Sequence, residues 1–353
     1  MLTTEVPNQQ PRDPRRRLGA ELRRWSSGAD PAGIGVVRVL DRHGFGAVEP
    51  GQLLAGTGSG DVGGELYLGA LDGVARPLVA EAAAGQELVR EAHAGEPDAL
   101  AAGLACAGGA TLVGHPLPAS AAAALGEAFE ASRPAALVSL VTDAPQGAPV
   151  LVLTGEDLAD QVGDLGEPGV TDAAAEVARA LLRRGATTTE RTTAAGAEVL
   201  VDVWVPVPTM LVVGEGALGA ALHGQAGLLG WQAHTVTGLD EARAAVAAFT
   251  DADVLVLLDH DPAFDAVLLD GLAHGRGFLG ALGSRRTQAA RHERLTAAGV
   301  DEAGFARIHG PVGLDLGART PAETAVSIVA EVIALRAGRT ASALAGTSGR
   351  IGG

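Results

Sequence analysis

Met210-Leu211-Val212-Val213-Gly214-Glu215-Gly216-Ala217-Leu218-Gly219 is the stretch that decides the fold of the C-terminal half. Its apolar run reads as a buried strand, and G-x-G-x-x-G between a strand and a helix is a dinucleotide-binding turn. The first glycine makes the bend, the second lets backbone approach a pyrophosphate, and the third lets the helix pack on the strand. Gly214, Gly216 and Gly219 hold those three positions. The acid that should close the next strand and take a ribose hydroxyl is absent, because Thr237 stands there, and Glu215 puts a negative charge inside the loop. The pattern therefore predicts a Rossmann-like fold and leaves NAD(P) or FAD binding open.

Outward from this turn, strand and helix alternate to the end of the chain, which predicts a doubly wound parallel sheet. The expected strands are 210–213, 232–236, 254–258, 277–281 and 305–308. Asp261-Pro262 has the form of a helix cap followed by proline at the first position, which explains Asp261 better than a metal pair with His260 does. In Leu279-Gly280-Ala281-Leu282-Gly283-Ser284-Arg285-Arg286-Thr287 a strand ends in a Gly-Ser turn and a helix opens on two arginines. Free amides and two guanidinium groups in one place suit an anion, although Ser284 also reads as a plain N-cap with solvated arginines behind it. His309 falls where the last strand leaves the carboxyl edge, the place where open α/β sheets hold ligands. Arg319 precedes Thr320-Pro321-Ala322-Glu323, a capping box that heads a helix to about residue 337.

Upstream, one order of segments occurs twice. Ile34 to Leu40 is echoed by Ala136 to Val141, Leu54-Ala55-Gly56 by Val152-Leu153-Thr154-Gly155, the helix 70–84 by 172–184, and Gly109 to Val113 by Gly196 to Val201. The period of about one hundred residues is too long for a solenoid and points to a duplicated α+β unit. Only the first copy has a cysteine, Cys106, in a loop that runs into Gly108 and Gly109. These readings divide the chain into a disordered basic tail (1–17), an α+β domain (18–208), a Rossmann-like domain (209–338) and a flexible tail (339–353).

Composition narrows the function. The 353 residues carry a net charge of −16, which argues against nucleic acid or an anionic membrane as partner. No apolar run reaches the roughly 20 residues of a membrane helix, and no signal peptide is visible, so a cytoplasmic protein is expected. One cysteine excludes an internal disulfide. No Ser-His-Asp or paired-carboxylate arrangement points to hydrolysis.

Together the Gly-rich run 56–64, Cys106-Ala107-Gly108, the fingerprint after Leu211-Val212-Val213, His260-Asp261-Pro262, Gly280 to Thr287 and Ile308 to Pro321 resemble the xanthine dehydrogenase accessory proteins, the XdhC/CoxI family. The resemblance is nearly continuous over 211–337 and looser over 34–116. It implies a maturation factor that binds the molybdenum cofactor, helps its sulfuration and passes it to an apo molybdenum hydroxylase of the xanthine or CO dehydrogenase type. A cysteine desulfurase as further partner and a homodimer are also implied, and a role as an enzyme is not. By this carry-over Cys106 faces the molybdenum and Gly108 and Gly109 lie beside the cofactor. Gly214, Gly216, Gly219, Ser284, Arg285, Arg286, His309 and Arg319 are the candidates for its phosphate or nucleotide end. Three departures stand out: Ala107 where the family has glycine, Gly69-Ala70-Leu71-Asp72 without the family's cysteine and glutamate, and no Ser-x-Pro-Arg element at 45–50. A nicotinamide- or flavin-dependent oxidoreductase and a ligand-free scaffold for enzyme maturation are the other two readings.

Overall fold

The computed structural model describes residues 14–28, 33–44, 49–141 and 149–346. The chain forms two compact units, the first running to Trp204 apart from Arg183–Ala186, which belong with the second.

The first unit is built twice from one plan. The first copy runs α1 (Pro14–Ser27), β1 (Ile34–Gly44), β2 (Leu54–Thr57), β3 (Val62–Gly64), α2 (Asp72–Ala83), β4 (Leu88–Ala94), α3 (Glu96–Ala101) and β5 (Gly108–Pro116). The second runs α4 (Ala119–Glu130), β6 (Ala135–Leu140), β7 (Val150–Thr154), β8 (Asp160–Gly163), α5 (Pro168–Leu182), β9 (Thr188–Ala194) and β10 (Ala197–Trp204). The two antiparallel sheets have strand orders β3-β2-β1-β5-β4 and β8-β7-β6-β10-β9, the same order in both copies. Ile34 pairs with Thr57 as Ala135 pairs with Thr154, which fixes the equivalence residue by residue. The duplication read from the sequence is thus a duplication of topology. The copies differ at the last connection: β9 and β10 are joined by the tight turn Ala195-Gly196, whereas β4 and β5 are joined by α3 and the loop that carries Cys106.

Strand alternation gives each sheet two apolar faces. Ile34, Val36, Leu53, Ala55 and Leu117 of the first copy share one core with Ala135, Leu137, Val150, Val152 and Trp204 of the second. Helices α1 and α4 close that core with Leu18, Leu22, Trp25, Leu125 and Phe129. On the far face of the first sheet, Val37, Leu54, Ala110 and Leu112 pack with Ala75, Leu78 and Val79 of α2. Helices α1 and α4 cross on glycines at matching places in the two copies, Leu18-Gly19 and Leu125-Gly126. A Cβ on Gly19 would lie 2.7 Å from the Gly126 carbonyl oxygen, and one on Gly126 would lie 2.8 Å from that of Gly19.

Helix α1 begins at Pro14, so Arg15 to Arg17 are helical and do not belong to the tail expected over 1–17. Proline suits a first helical turn, and Arg16 donates from Nε to Ser132 Oγ at 2.9 Å. Residues 1–13 and 347–353 of the two expected tails lie outside the described residues, as do Phe45 to Val48.

The second unit is a Rossmann-like domain. It runs β11 (Thr209–Val213), α6 (Ala217–Leu228), β12 (Gln232–Val236), α7 (Leu239–Ala247), β13 (Val254–Leu257), α8 (Asp265–His274), β14 (Phe278–Ala281), α9 (Arg285–Ala297), α10 (Glu302–Phe305), β15 (Ile308–His309) and α11 (Pro321–Arg336). All strand pairs are parallel, in the order β12-β11-β13-β14-β15. One face of the sheet packs on Leu222 and Ala226 of α6 and on Ala325, Ile328, Val329 and Val332 of α11. The other packs on Ala242 and Val246 of α7, Val267 and Leu268 of α8, and Leu295 of α9. The fifth strand differs from its expected span of 305–308: Phe305 closes α10, and pairing starts only at Ile308. Asp301 caps α10 by accepting from the Gly304 amide at 2.9 Å, which draws Phe305 into the helix.

Candidate functional site

Gly214 and Gly216 have φ of +113° and +124°, a region that L side chains rarely enter. Nothing lies within 4 Å of a Cβ built on Gly216, so the loop is open there, whereas one built on Gly219 would lie 3.6 Å from Val212 Cγ1. The three glycines thus play the bend, open-backbone and helix-packing parts that a dinucleotide turn requires. Strands β11 and β13 are neighbours on opposite sides of the order reversal, so this loop and the segment after Leu257 share the topological switch point. Asp261 caps the following turn by accepting from the Ala263 amide at 2.9 Å, the structural role expected of it. Thr237 at the end of β12 is exposed.

Ser284 is the N-cap of α9 and accepts from the Thr287 amide at 3.2 Å. Arg285 and Arg286 are exposed, and among the described residues neither side chain has a hydrogen bond or ion pair. Arg291, one and a half turns on, is buried and donates from Nε to Asp265 Oδ1 at 3.0 Å, while Arg294 donates from Nε to Asp265 Oδ2 at 2.6 Å. One carboxylate thereby serves two guanidinium groups.

His309 turns toward α11. Its Nδ1 lies 2.9 Å from Glu331 Oε1, and its ring stacks on Phe278 with centroids 4.4 Å apart. Glu331 Oε2 also accepts from the Gly313 amide at 2.6 Å. Burial works against the Glu331 carboxylate, but the His309 and Gly313 hydrogen bonds outweigh it and hold its pKa below the ordinary value. Arg319 is exposed, and its amide donates to Glu323 Oε2 at 2.8 Å beside the Thr320 capping box.

In the first unit, Cys106 is exposed in the loop before β5. Gly109 in β5 pairs with His43 of β1 on one side and His93 of β4 on the other. A Cβ on Gly109 would lie 2.9 Å from the Ala92 carbonyl oxygen and 3.4 Å from His93 Nδ1. His43 Nε2 lies 3.1 Å from Thr111 Oγ1, which donates to Glu91 Oε1 at 2.7 Å. Two exposed imidazoles therefore flank the glycine that follows the thiol loop. Sequence reading missed both, because only cross-strand register brings them together. Among the described residues no group of three or more His, Cys, Asp or Glu side chains is placed to hold a metal ion.

A polar centre also lies where the two copies meet. Arg38, fully buried, donates from Nε to Asp202 Oδ2 at 2.6 Å, from Nη1 to Ser139 Oγ at 2.8 Å, and from Nη2 to the Leu137 and Leu200 carbonyls at 2.9 and 3.0 Å. Asp202 also accepts from Thr189 Oγ1. By the strand register Ser139 is the second-copy counterpart of Arg38, and Asp202 that of His115. His115 is buried, its Nδ1 lies 3.0 Å from the Pro116 carbonyl oxygen, and its Nε2 has no partner. Desolvation, with the Arg38 charge adding to it, pushes its pKa down to about 3.

Among known proteins, residues 210–332 match the family model of the XdhC Rossmann domain. An uncharacterized protein, YqeB of Escherichia coli K12, is 29% identical over 161 residues, 39% of this chain and 29% of its own length. The chain thus spans less than a third of that relative. A Bacillus halodurans protein described as a xanthine dehydrogenase has the same fold, with a TM-score of 0.52 and 16% identity over 92% of this chain and 98% of that one. No helix among the described residues is long and apolar enough to cross a membrane. Over residues 210–332 this chain is thus similar to the XdhC Rossmann domain.

Proposed function

We propose that this protein binds the molybdenum cofactor and delivers it to an apo-enzyme of the xanthine dehydrogenase type. The observation that carries this reading is the exposed Cys106 thiol on a connection that the second copy replaces by a two-residue turn. A duplicated fold with one copy elaborated at this loop suits a function placed there. The residues present suit the group: a thiolate is a soft ligand fitted to molybdenum. Ala105, Ala107 and Gly108 beside it leave a bulky pterin room to approach. In the Rossmann domain the open backbone at Gly216 suits a phosphate, and the unpaired Arg285 and Arg286 add cationic donors on the same carboxyl edge of the sheet. Once bound, the group supplies molybdenum redox chemistry to the target enzyme; the part of this chain is to hold it and release it. A cysteine desulfurase that recharges the cofactor with sulfide, and a second copy of this chain, are the partners that complete the proposal.

The test is co-purification from cells that make the cofactor. Molybdenum and a fluorescent oxidised pterin in near-equimolar amounts support the reading, and protein free of both contradicts it. The geometry of Gly214, Gly216 and Gly219 supports a second reading, a nicotinamide- or flavin-dependent oxidoreductase. Thr237, standing where a ribose-binding acid belongs, weighs against it. Titration with NAD(P)H and FAD separates the two, since saturable binding with hydride transfer belongs only to the second.

A further inference from the structure

We propose that the groove between α9, α10 and the loop after β15 is a binding site for a phosphate monoester that carries a flat heteroaromatic ring. The groove has a volume of about 360 Å³, within the range of small-molecule sites. It lies wholly in the Rossmann domain and uses neither Cys106 nor the Gly214–Gly219 loop; of the residues proposed above for the cofactor it takes only Arg285, so a failure to bind ring phosphates leaves the role of Cys106 standing, and the reverse holds too.

Charge gives the first half of the argument. The chain has 42 acidic residues against 26 basic ones, yet no acidic residue lines this groove, while Arg285, Arg291 and His292 do. Arg291 is held by Asp265, by the Leu282 carbonyl and by Gln288 Oε1, and Asp265 is already shared with Arg294, so the cluster keeps an excess positive charge. Gln288 is fixed in turn by donating to the Ala281 carbonyl at 2.9 Å. Arg285 alone is exposed with no partner among the described residues, a guanidinium free to pair with a phosphate.

Shape gives the second half. Two turns along α9 from Arg285, about 10 Å by helix geometry, the exposed His292 ring lies flat against Phe305, with centroids 3.8 Å apart and planes 17° apart. Pro311 adds apolar wall. A cation at one end and a backed aromatic platform at the other match a phosphate at one end of a ligand and a stacking ring at the other. Both a nucleoside monophosphate and a pterin phosphate have that chemistry.

The test is calorimetric titration of the full-length protein with AMP, GMP and a 6-hydroxymethylpterin phosphate ester, against adenosine, guanosine and inorganic phosphate alone. At least one ring phosphate should saturate a single site, with the bare nucleosides and inorganic phosphate each binding about tenfold more weakly or worse. Arg285→Gln should weaken binding about tenfold and His292→Ala about threefold. Arg133→Gln, which removes an exposed arginine of the first unit, should leave it unchanged. Binding of the nucleotides but not the pterin ester names a nucleotide ligand, and the reverse names a pterin. No saturable binding of any ring phosphate, inorganic phosphate binding as tightly as the esters, or an unchanged affinity in a folded Arg285→Gln variant would overturn the proposal.

Discussion

Arg38 and Asp202 leave water together, and the side chain and carbonyl partners around them are what make that tolerable. Removing one partner strands the other charge in the core, which costs about 3–5 kcal/mol. Asp202→Ala should therefore lower the urea midpoint sharply, whereas Arg133→Ala, which breaks the exposed Arg133–Glu127 pair, should change stability by no more than about 0.5 kcal/mol. His115 offers a second measurement. Its imidazole is neutral in the folded protein down to about pH 3, while in the unfolded chain it takes up a proton below the ordinary value of 6.5. Below that ordinary value the unfolded state binds the extra proton, so stability must fall as pH drops from 6.5 towards 3. Carboxylates add their own acid dependence, so the informative quantity is a difference. Urea midpoints of wild type and His115→Leu, compared at pH 7.5 and pH 5, should converge on acidification by up to one proton's worth of slope. Parallel curves would show that His115 is not a buried neutral base.

At the scale of elements, the crossing of α1 and α4 depends on two glycines. Gly19→Ala or Gly126→Ala drives a methyl against the facing backbone, 2.7–2.8 Å away, and should destabilise the first unit by about 1–3 kcal/mol. A thermal melt unchanged from wild type would mean that the helices do not cross so closely. The elements also show what the sequence could reveal. Buried strands such as Val254–Leu257, the glycine fingerprint and the Thr320–Glu323 capping box were readable because each is a local pattern with a local cause. Of the ten strands among the described residues of the first unit, β3, β4, β8 and β9 were not read, and all four are sheet edges. An edge strand such as Thr188–Ala194 needs little apolar residue, so the alternation that announces a buried strand is missing. His43 and His93 escaped for a related reason: they meet across Gly109 only through strand register. The exposure of Cys106, Arg285 and Arg286 and the capping role of Ser284 were legible because loops and helix starts display their polar residues locally.

At the scale of the whole molecule, each unit has cores of its own, and among the described residues those of the Rossmann domain draw none from before Val205. Residues 205–346 expressed alone should unfold cooperatively in urea, and a broad, non-cooperative transition would show that the domain depends on the rest of the chain. The duplicated unit is nearly symmetric in topology and unequal in equipment, since only the first copy has the long β4–β5 connection and its thiol. That inequality is the ground for proposing the molybdenum cofactor there, and it makes a direct demand. Wild type and Cys106→Ser, produced side by side in cofactor-making cells, should differ in molybdenum per protein by about tenfold or more, the loss expected when a metal loses its thiolate ligand, while their melting curves coincide because the side chain is exposed. Equal molybdenum in the two preparations, or none in either, would contradict the account.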